Sequence, residues 1–477
     1  MYDENNKRKS SIIGYVPQDD ILFEELTVYQ NLQFNAQLCL NNYAEEERKE
    51  LVEKTLFDLD LFEIKDLLVG SILNKYISGG QRKRLNIALE LIREPSVLFV
   101  DEPTSGLSSA DSEMVMNLLK EQTQKGKIVI VNIHQPSSDI FKMFDRMLFL
   151  DKGGYLIYSG NPIDAIKYFK SKSNYINAEV EQCFECGNVN PEQLLQIIES
   201  RIVNEYGKLT RTRKISPKEW FDSFHETQGK NAGSIERKLN PHQYVKRTPK
   251  KCKQFQIFLH RDLLTKIANR QYLLISLLEA PILAVLLAYF TKYISGKVGS
   301  PDAYVFMENA NLPAFIFMAV VVALFLGLSI SAEEIIKDRK HLKRESFLGL
   351  SRNSYLHSKI SLLFLISAIQ MITFVLISNF ILEIRGMTFH YWLILFSTSC
   401  FANMLGLNIS SALNSVITIY ILIPFILVPE LLFSGIIVQY DKLHKSITTP
   451  LYVPVIGDLM TSRWAFEALM VHQFKSN

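Results

Sequence analysis

Two short stretches of this chain pair residue types that do chemistry: Ser78-Gly79-Gly80-Gln81, and Val97-Leu98-Phe99-Val100 running into Asp101-Glu102. A Ser-Gly-Gly turn that opens a helix offers unpaired backbone N–H groups and a positive dipole end to an anion such as phosphate. An apolar strand that ends in two carboxylates can hold Mg²⁺ with one and polarise water with the other. Positioning them requires a buried strand and a helix beside it. Val97–Val100 and Ile128–Ile133 read as buried strands from their β-branched content, and Leu85–Ile92 reads as the helix after the glycine turn. Met147–Leu150 and Tyr155–Tyr158 flank Gly153-Gly154 as a hairpin. Residues 1–160 are thus expected to form an α/β nucleotide-binding domain.

The two stretches resemble the signature sequence and Walker B motif of ATP-binding cassette (ABC) ATPases, and further pieces follow in the family's order. Gly14-Tyr15-Val16-Pro17-Gln18-Asp19-Asp20 is similar to the Q-loop, with Leu26-Thr27-Val28 through Asn31-Leu32 as its continuation. Ser105-Gly106-Leu107-Ser108-Ser109 stands where the D-loop belongs, and Ile133-His134-Gln135-Pro136-Ser137-Ser138 with Phe144-Asp145 resembles the H-loop of the White-like G subfamily. The resemblance implies ATP and Mg²⁺ as cofactors. It casts Glu102 as the general base, Asp101 as the Mg²⁺ carboxylate, and Gln18 as a group touching both Mg²⁺ and the attacking water. His134 would bond the γ-phosphate. Ser78, Gly79, Gly80 and Gln81 would grip ATP held mainly by a second subunit, and Ser108 would lie at the same interface. Most family members carry Asp where this chain has Ser108, which brings a hydrogen bond but no charge.

Two family features are absent from the 477 residues: a Gly-x-x-x-x-Gly-Lys-Ser/Thr loop and a sixth membrane span. Ser462-Arg463-Trp464-Ala465-Phe466-Glu467-Ala468-Leu469 resembles the outer segment just before the family's last helix. The expectation is a longer half-transporter cut at both ends, with a partial ATPase domain and five of six helices in an all-α polytopic membrane domain. Its partners would be a second half-transporter, identical or not, membrane lipid and a transported substrate. A catalytically silent subunit, lending signature and spans to an active partner, is the alternative. A soluble signature-bearing ATPase of the DNA-repair or translation type would share residues 77–134 but not the spans.

Composition agrees with a soluble part followed by a membrane part. Net charge is +3 from 52 Lys and Arg against 49 Asp and Glu, too little to suggest nucleic acid as a partner. No cleavable leader is visible at the start. Residues 161–252 read as a connector, with Ile163–Phe169 and Pro191–Tyr206 helical. An amphipathic connecting helix is expected over 253–271, with Phe255, Phe258, Leu259 and Leu263 on its apolar face and Lys253, Arg261, Lys266 and Arg270 as its basic residues. Five spans are expected within 272–437: Tyr272–Phe290, Leu312–Ser331, Leu362–Leu382, Phe389–Ile409 and Val416–Ile437. Residues 438–477 would lie outside.

Loop 332–360 carries Lys337, Arg339, Lys340, Lys343, Arg344, Arg352 and Lys359, which places it inside. The protein is therefore expected in the cell (inner or plasma) membrane with its ATPase part cytoplasmic. The inner loop, Glu333-Glu334 through Lys343-Arg344-Glu345, resembles the family's cytosolic turn and is expected to couple nucleotide-driven closure to the spans. Glu279 and Glu430 are ionisable groups in apolar surroundings, read as a substrate path or as interhelical pairing or snorkelling near the boundary. Cys183-Phe184-Glu185-Cys186 is a single Cys-x-x-Cys; a turn with two thiols, a redox pair and a metal site shared across a dimer all stay open.

Overall fold

A computed structural model describes residues 12–71, 73–173, 188–204, 206–228, 248–292, 310–444 and 453–476. Cys183 and Cys186 fall outside these. In chain order the first elements are β1 (Ile13–Val16), α1 (Val28–Cys39), α2 (Glu45–Asp58), α3 (Gly79–Leu91), β2 (Val97–Asp101) and α4 (Ser109–Gln124). There follow β3 (Ile128–Asn132), α5 (Ser138–Lys142), β4 (Met147–Asp151), β5 (Tyr155–Gly160), α6 (Pro162–Lys172) and α7 (Glu192–Ile198). Then come β6 (Arg201–Val203), β7 (Leu209–Arg213), α8 (Pro217–Gln228), α9 (Lys251–Ala268), α10 (Arg270–Thr291) and α11 (Leu312–Ser331). The last are α12 (Glu334–Lys337), α13 (Arg339–Phe347), α14 (Arg352–Leu382), α15 (Thr388–Ala412), α16 (Val416–Leu432), α17 (Val455–Asp458) and α18 (Thr461–Ser476).

Two compact units emerge. The first gathers residues 1–20, 49–67 and 75–246. Its centre is a parallel sheet in the order β1-β2-β3, pairing Tyr15 with Phe99 and Phe99 with Ile130. β3 was expected to be buried, yet Ile128 and Ile130 are exposed. It is the outer strand of the sheet, packed against α4, and Ile130 shares its open face with Phe99 and Tyr15, which are also exposed. The β4–β5 hairpin forms as read, with Gly153 and Gly154 both at positive φ. The expected helix over 191–206 ends at Ile198; β6 follows and pairs with β7. Phe169 and Trp220 fill a second apolar core under β5, α6 and α7.

The second unit gathers residues 21–48, 68–74 and 247–477. Among the described residues, four helices are long and apolar enough to cross a membrane: Arg270–Thr291, Leu312–Lys337, Arg352–Leu382 and Thr388–Ala412. The fifth expected span, 416–437, is shorter. α16 stops at Leu432 after 17 residues, carries Pro424 and Pro429, and is followed by Gly435 at φ +80°. At 1.5 Å per residue it reaches about 26 Å, less than the roughly 30 Å of hydrocarbon. α11 and α15 pack through their backbones: a β-carbon at Gly327 would sit 2.5 Å from the Ser399 carbonyl oxygen.

Glu430 is buried and accepts from the N–H groups of Thr461 (3.3 Å) and Ser462 (2.9 Å), which caps α18. Of its two readings, interhelical pairing is the one this geometry supports. α9 buries a different face from the expected one. Phe258 is buried, but Leu263 is exposed, and Arg261 and Asp262 lie inside with Ile257.

Candidate functional site

In the first unit the strand ends and the loops that follow them bring the expected catalytic residues together. Gln18 follows β1, and its Nε2 donates to Glu102 Oε2 at 2.8 Å. Glu102 is held at φ +42°, a left-handed conformation that costs energy without glycine, and its N–H donates to the Asn132 carbonyl oxygen at 2.9 Å. Asp101 accepts from Asn132 Nδ2 at 2.8 Å and from the Tyr15 hydroxyl at 3.5 Å, so its carboxylate is oriented from both sides. Burial and the neighbouring Asp101 charge push the Tyr15 phenol up from its ordinary pKa. His134 and Glu102 line one cleft of about 310 Å³ with Ser105, Gln135 and Ser137. Gln135 also has positive φ, +46°.

The glycine turn forms a helix start as read, and α3 begins at Gly79. Ser78 and Gln81 make a reciprocal capping box: Gln81 N–H donates to Ser78 Oγ (3.2 Å), and Ser78 N–H donates to Gln81 Oε1 (2.7 Å). This occupies Ser78 as an acceptor and leaves its hydroxyl hydrogen to donate outward. The first turn of α3 meets the 107–111 segment. A β-carbon on Gly79 would lie 3.4 Å from the Leu107 side chain, and one on Gly80 would run into the Asp111 carboxylate. Gly80→Ala should therefore displace Asp111, costing about 1–3 kcal/mol by overpacking. Thermal unfolding of the variant checks this; an unchanged midpoint would contradict it. Ser108 caps α4, accepting from Asp111 N–H (3.1 Å) and donating to Asp111 Oδ2 (2.8 Å).

Sequence reasoning missed a clamp on the Q-loop. Lys83 Nζ donates to the Gln18 carbonyl oxygen at 2.7 Å, and Asp20 lies 3.6 Å from Arg82 and 4.0 Å from Lys83. Burial lowers the Lys83 ammonium and raises the Asp20 carboxyl, with their mutual attraction opposing both shifts. The run Arg82-Lys83-Arg84 looks like a solvated charge run in sequence, yet all three are buried on α3.

The second unit holds a buried ion network. Lys359 Nζ is 2.8 Å from Asp338, 3.2 Å from Glu334 and 3.5 Å from Asp262. Glu334 also pairs with Lys266, Arg261 pairs with Glu345, and the Tyr355 hydroxyl donates to Asp338 at 2.7 Å. Segment 21–48 joins in: Arg344 donates to the Ile21 carbonyl oxygen (3.3 Å) and to Asn35 Oδ1 (3.1 Å), and Phe23 lies 4.4 Å under the Arg261 guanidinium. Burial pushes the Asp262 carboxyl up to about 6, against the pull of Lys359. Burial acts the same way on Asp338, but Lys359 and His341 outweigh it and hold that carboxyl low.

His341 stacks on Phe23 at 4.0 Å with both ring nitrogens out of solvent, and burial lowers its pKa to about 4. The unfolded chain therefore takes up this proton first as pH falls. Its stabilising contribution is complete above about 6.5 and is lost toward 4. Acidification from about pH 7 to about pH 5 should cost on the order of 2 kcal/mol through this residue. His341→Phe keeps the stack and should remove that decline in melting temperature; an equal decline in the variant would contradict the assignment.

The donor set at the strand ends, a carboxylate of Asp101 and the amide oxygen of Gln18, is all hard oxygen and fits Mg²⁺. Ser78 and the first-turn N–H groups of α3 fit the terminal phosphate of a nucleotide.

Comparison with known proteins finds the following likenesses. A model described as "ABC transporter" matches residues 1–105, and models described as "ABC-2 type transporter" match residues 134–221 and 253–474. Among relatives, "ABC transporter G family member 13" of Arabidopsis thaliana is 36% identical over 230 residues, 47% of this chain and 32% of that protein. "Putative white-brown complex homolog protein 30" of Arabidopsis thaliana is 43% identical over 159 residues, 33% of this chain and 15% of that protein. "Broad substrate specificity ATP-binding cassette transporter ABCG2" of Bos taurus is 43% identical over 157 residues, 33% of this chain and 24% of that protein. The relatives similar to this chain carry G-family and white-brown names. The match to each of these relatives spans less than a third of the relative's length.

Proposed function

We propose that this chain is part of a half-transporter that couples ATP hydrolysis to export across the cell membrane, working as a dimer with its ATPase part in the cytoplasm. The observation that carries the reading is the Gln18–Glu102–His134 grouping at the strand ends, with Asp101 fixed beside it. Bound Mg-ATP supplies the scissile phosphoanhydride and the cation that neutralises its charge. Glu102 accepts the proton of the attacking water, positioned by the left-handed backbone and by Gln18. His134, which lines the same cleft as Glu102, would donate a hydrogen bond to the terminal phosphate. The Asp101 carboxylate would hold the cation, directly or through water. Ser78, Gly79 and Gly80, at the start of α3, would clasp a nucleotide held by the opposite subunit, as the family resemblance implies.

The ion network supports a coupling role for α12 and α13. Charges on α9, α12, α13 and α14 are buried together with segment 21–48, which follows the Q-loop directly in the chain. The exported molecule is left open by these residues; the apolar spans suit a lipophilic or amphipathic one.

Reconstituted in proteoliposomes with its partner subunit, the protein should hydrolyse Mg-ATP. Added subunits carrying Gly79→Asp should poison the activity in proportion to their share of mixed dimers. Hydrolysis untouched by the poisoned subunit would defeat the shared-site reading, and the silent-subunit alternative predicts survival of activity when Glu102 of this chain is replaced.

A further inference from the structure

Adjacent residues of the inner helices face opposite ways. Glu334 and Asp338 turn toward Lys266 and Lys359, that is, toward α9 and α14. Glu333 and Arg339, each next in sequence to one of these, turn toward the other half of the membrane unit. The Tyr420 hydroxyl on α16 hydrogen-bonds Glu333. Arg339 reaches the turn between α15 and α16, donating to the Ser411 carbonyl oxygen at 3.2 Å, the Leu413 carbonyl oxygen at 2.8 Å and the Asn414 side chain. From α15 itself, buried Ser410 Oγ accepts the N–H groups of both Ile335 and Ile336 at 3.1 Å.

These bonds form a second arm. The last carbonyls of α15 lack helical partners, and a guanidinium fork satisfies several of them at once while complementing the negative dipole end. Bonds at three residues, Glu333, Ser410 and Arg339, thus tie α12–α13 to α15, α16 and the turn between them. None of them uses the Lys359 network.

We propose that Arg339 is a positioning residue of the transport cycle, making the α15–α16 turn move with α12–α13 so that α16 follows the inner helices along with α14. This rests on the coupling reading above. The arrangement makes α12–α13 a two-sided lever: its acidic side grips α9 and α14, and its Arg339 side grips the start of α16.

The test places an environment-sensitive bimane label at Leu356 on α14 or at Ile417 on α16, in reconstituted protein whose own cysteines are replaced by serine. In the parent, ATP with vanadate should shift the emission at both positions. Arg339→Ala should abolish the shift at Ile417 and keep it at Leu356. Arg339→Lys, which retains the cation but not the fork, should restore roughly half of the lost shift. A full shift at Ile417 in Arg339→Ala would overturn the proposal, as would loss at both positions together. No shift at either position in the parent would overturn the ATP-driven reading beneath it, a result distinct from failure of the arm.

Discussion

Replacing Glu102 with glutamine should lower ATP hydrolysis by about 10²–10⁴-fold, the range in which a positioned general base contributes. The substitution preserves shape: the left-handed backbone at φ +42° and the bond from Gln18 Nε2 can both persist, because a glutamine oxygen still accepts. Only basicity is lost. Nucleotide affinity should change little, so the variant should accumulate with ATP bound. Steady-state hydrolysis together with equilibrium nucleotide binding checks both halves. Equal loss of binding and turnover would indicate a collapsed loop in place of a missing base.

Lys359→Met should be the most destabilising substitution in the membrane unit, by about 3–5 kcal/mol, because it strands buried carboxylates in place of removing a pair. Lys359 is almost fully buried and, among the described residues, is the one cation paired with all of Asp262, Glu334 and Asp338. Glu334 retains Lys266, and Asp338 retains the Tyr355 hydroxyl, so the larger part of the cost should fall on Asp262 and Asp338. Adding Asp338→Asn to Lys359→Met should therefore recover part of the loss. Melting in detergent reads the effect, and a single variant as stable as the parent would contradict the hub assignment.

The candidate site in the first unit was legible because its chemistry is local. Ser78 and Gln81 cap one helix turn three residues apart, and Asp101-Glu102 ends one strand, so sequence spacing already contains their geometry. The Gln18–Glu102 bond was legible only through the family resemblance, since 84 positions separate the two residues.

The ion network was hidden for a different reason. Lys337, Arg339, Arg344 and Lys359 lie in what is expected to be an inside-facing basic loop, yet their number alone does not say which are solvated. Lys337 is exposed, while Lys359 is buried by helices that arrive from distant stretches of the chain. The same tertiary override moved the buried face of α9 from its apolar stripe to Phe258, Arg261 and Asp262. α16 fell short of the expected span because hydropathy counts Pro424, Pro429 and the residues beyond Leu432 by polarity and ignores their backbone cost.

The shared nucleotide site is tested most directly by vanadate trapping in the reconstituted dimer, followed by ultraviolet cleavage and mass spectrometry of the fragments. A vanadate ion held at the position of the γ-phosphate should cut this chain at Ser78, because the start of α3 closes over a nucleotide bound to the other subunit. Trapped nucleotide with the Ile77–Gly80 backbone left intact would contradict the account.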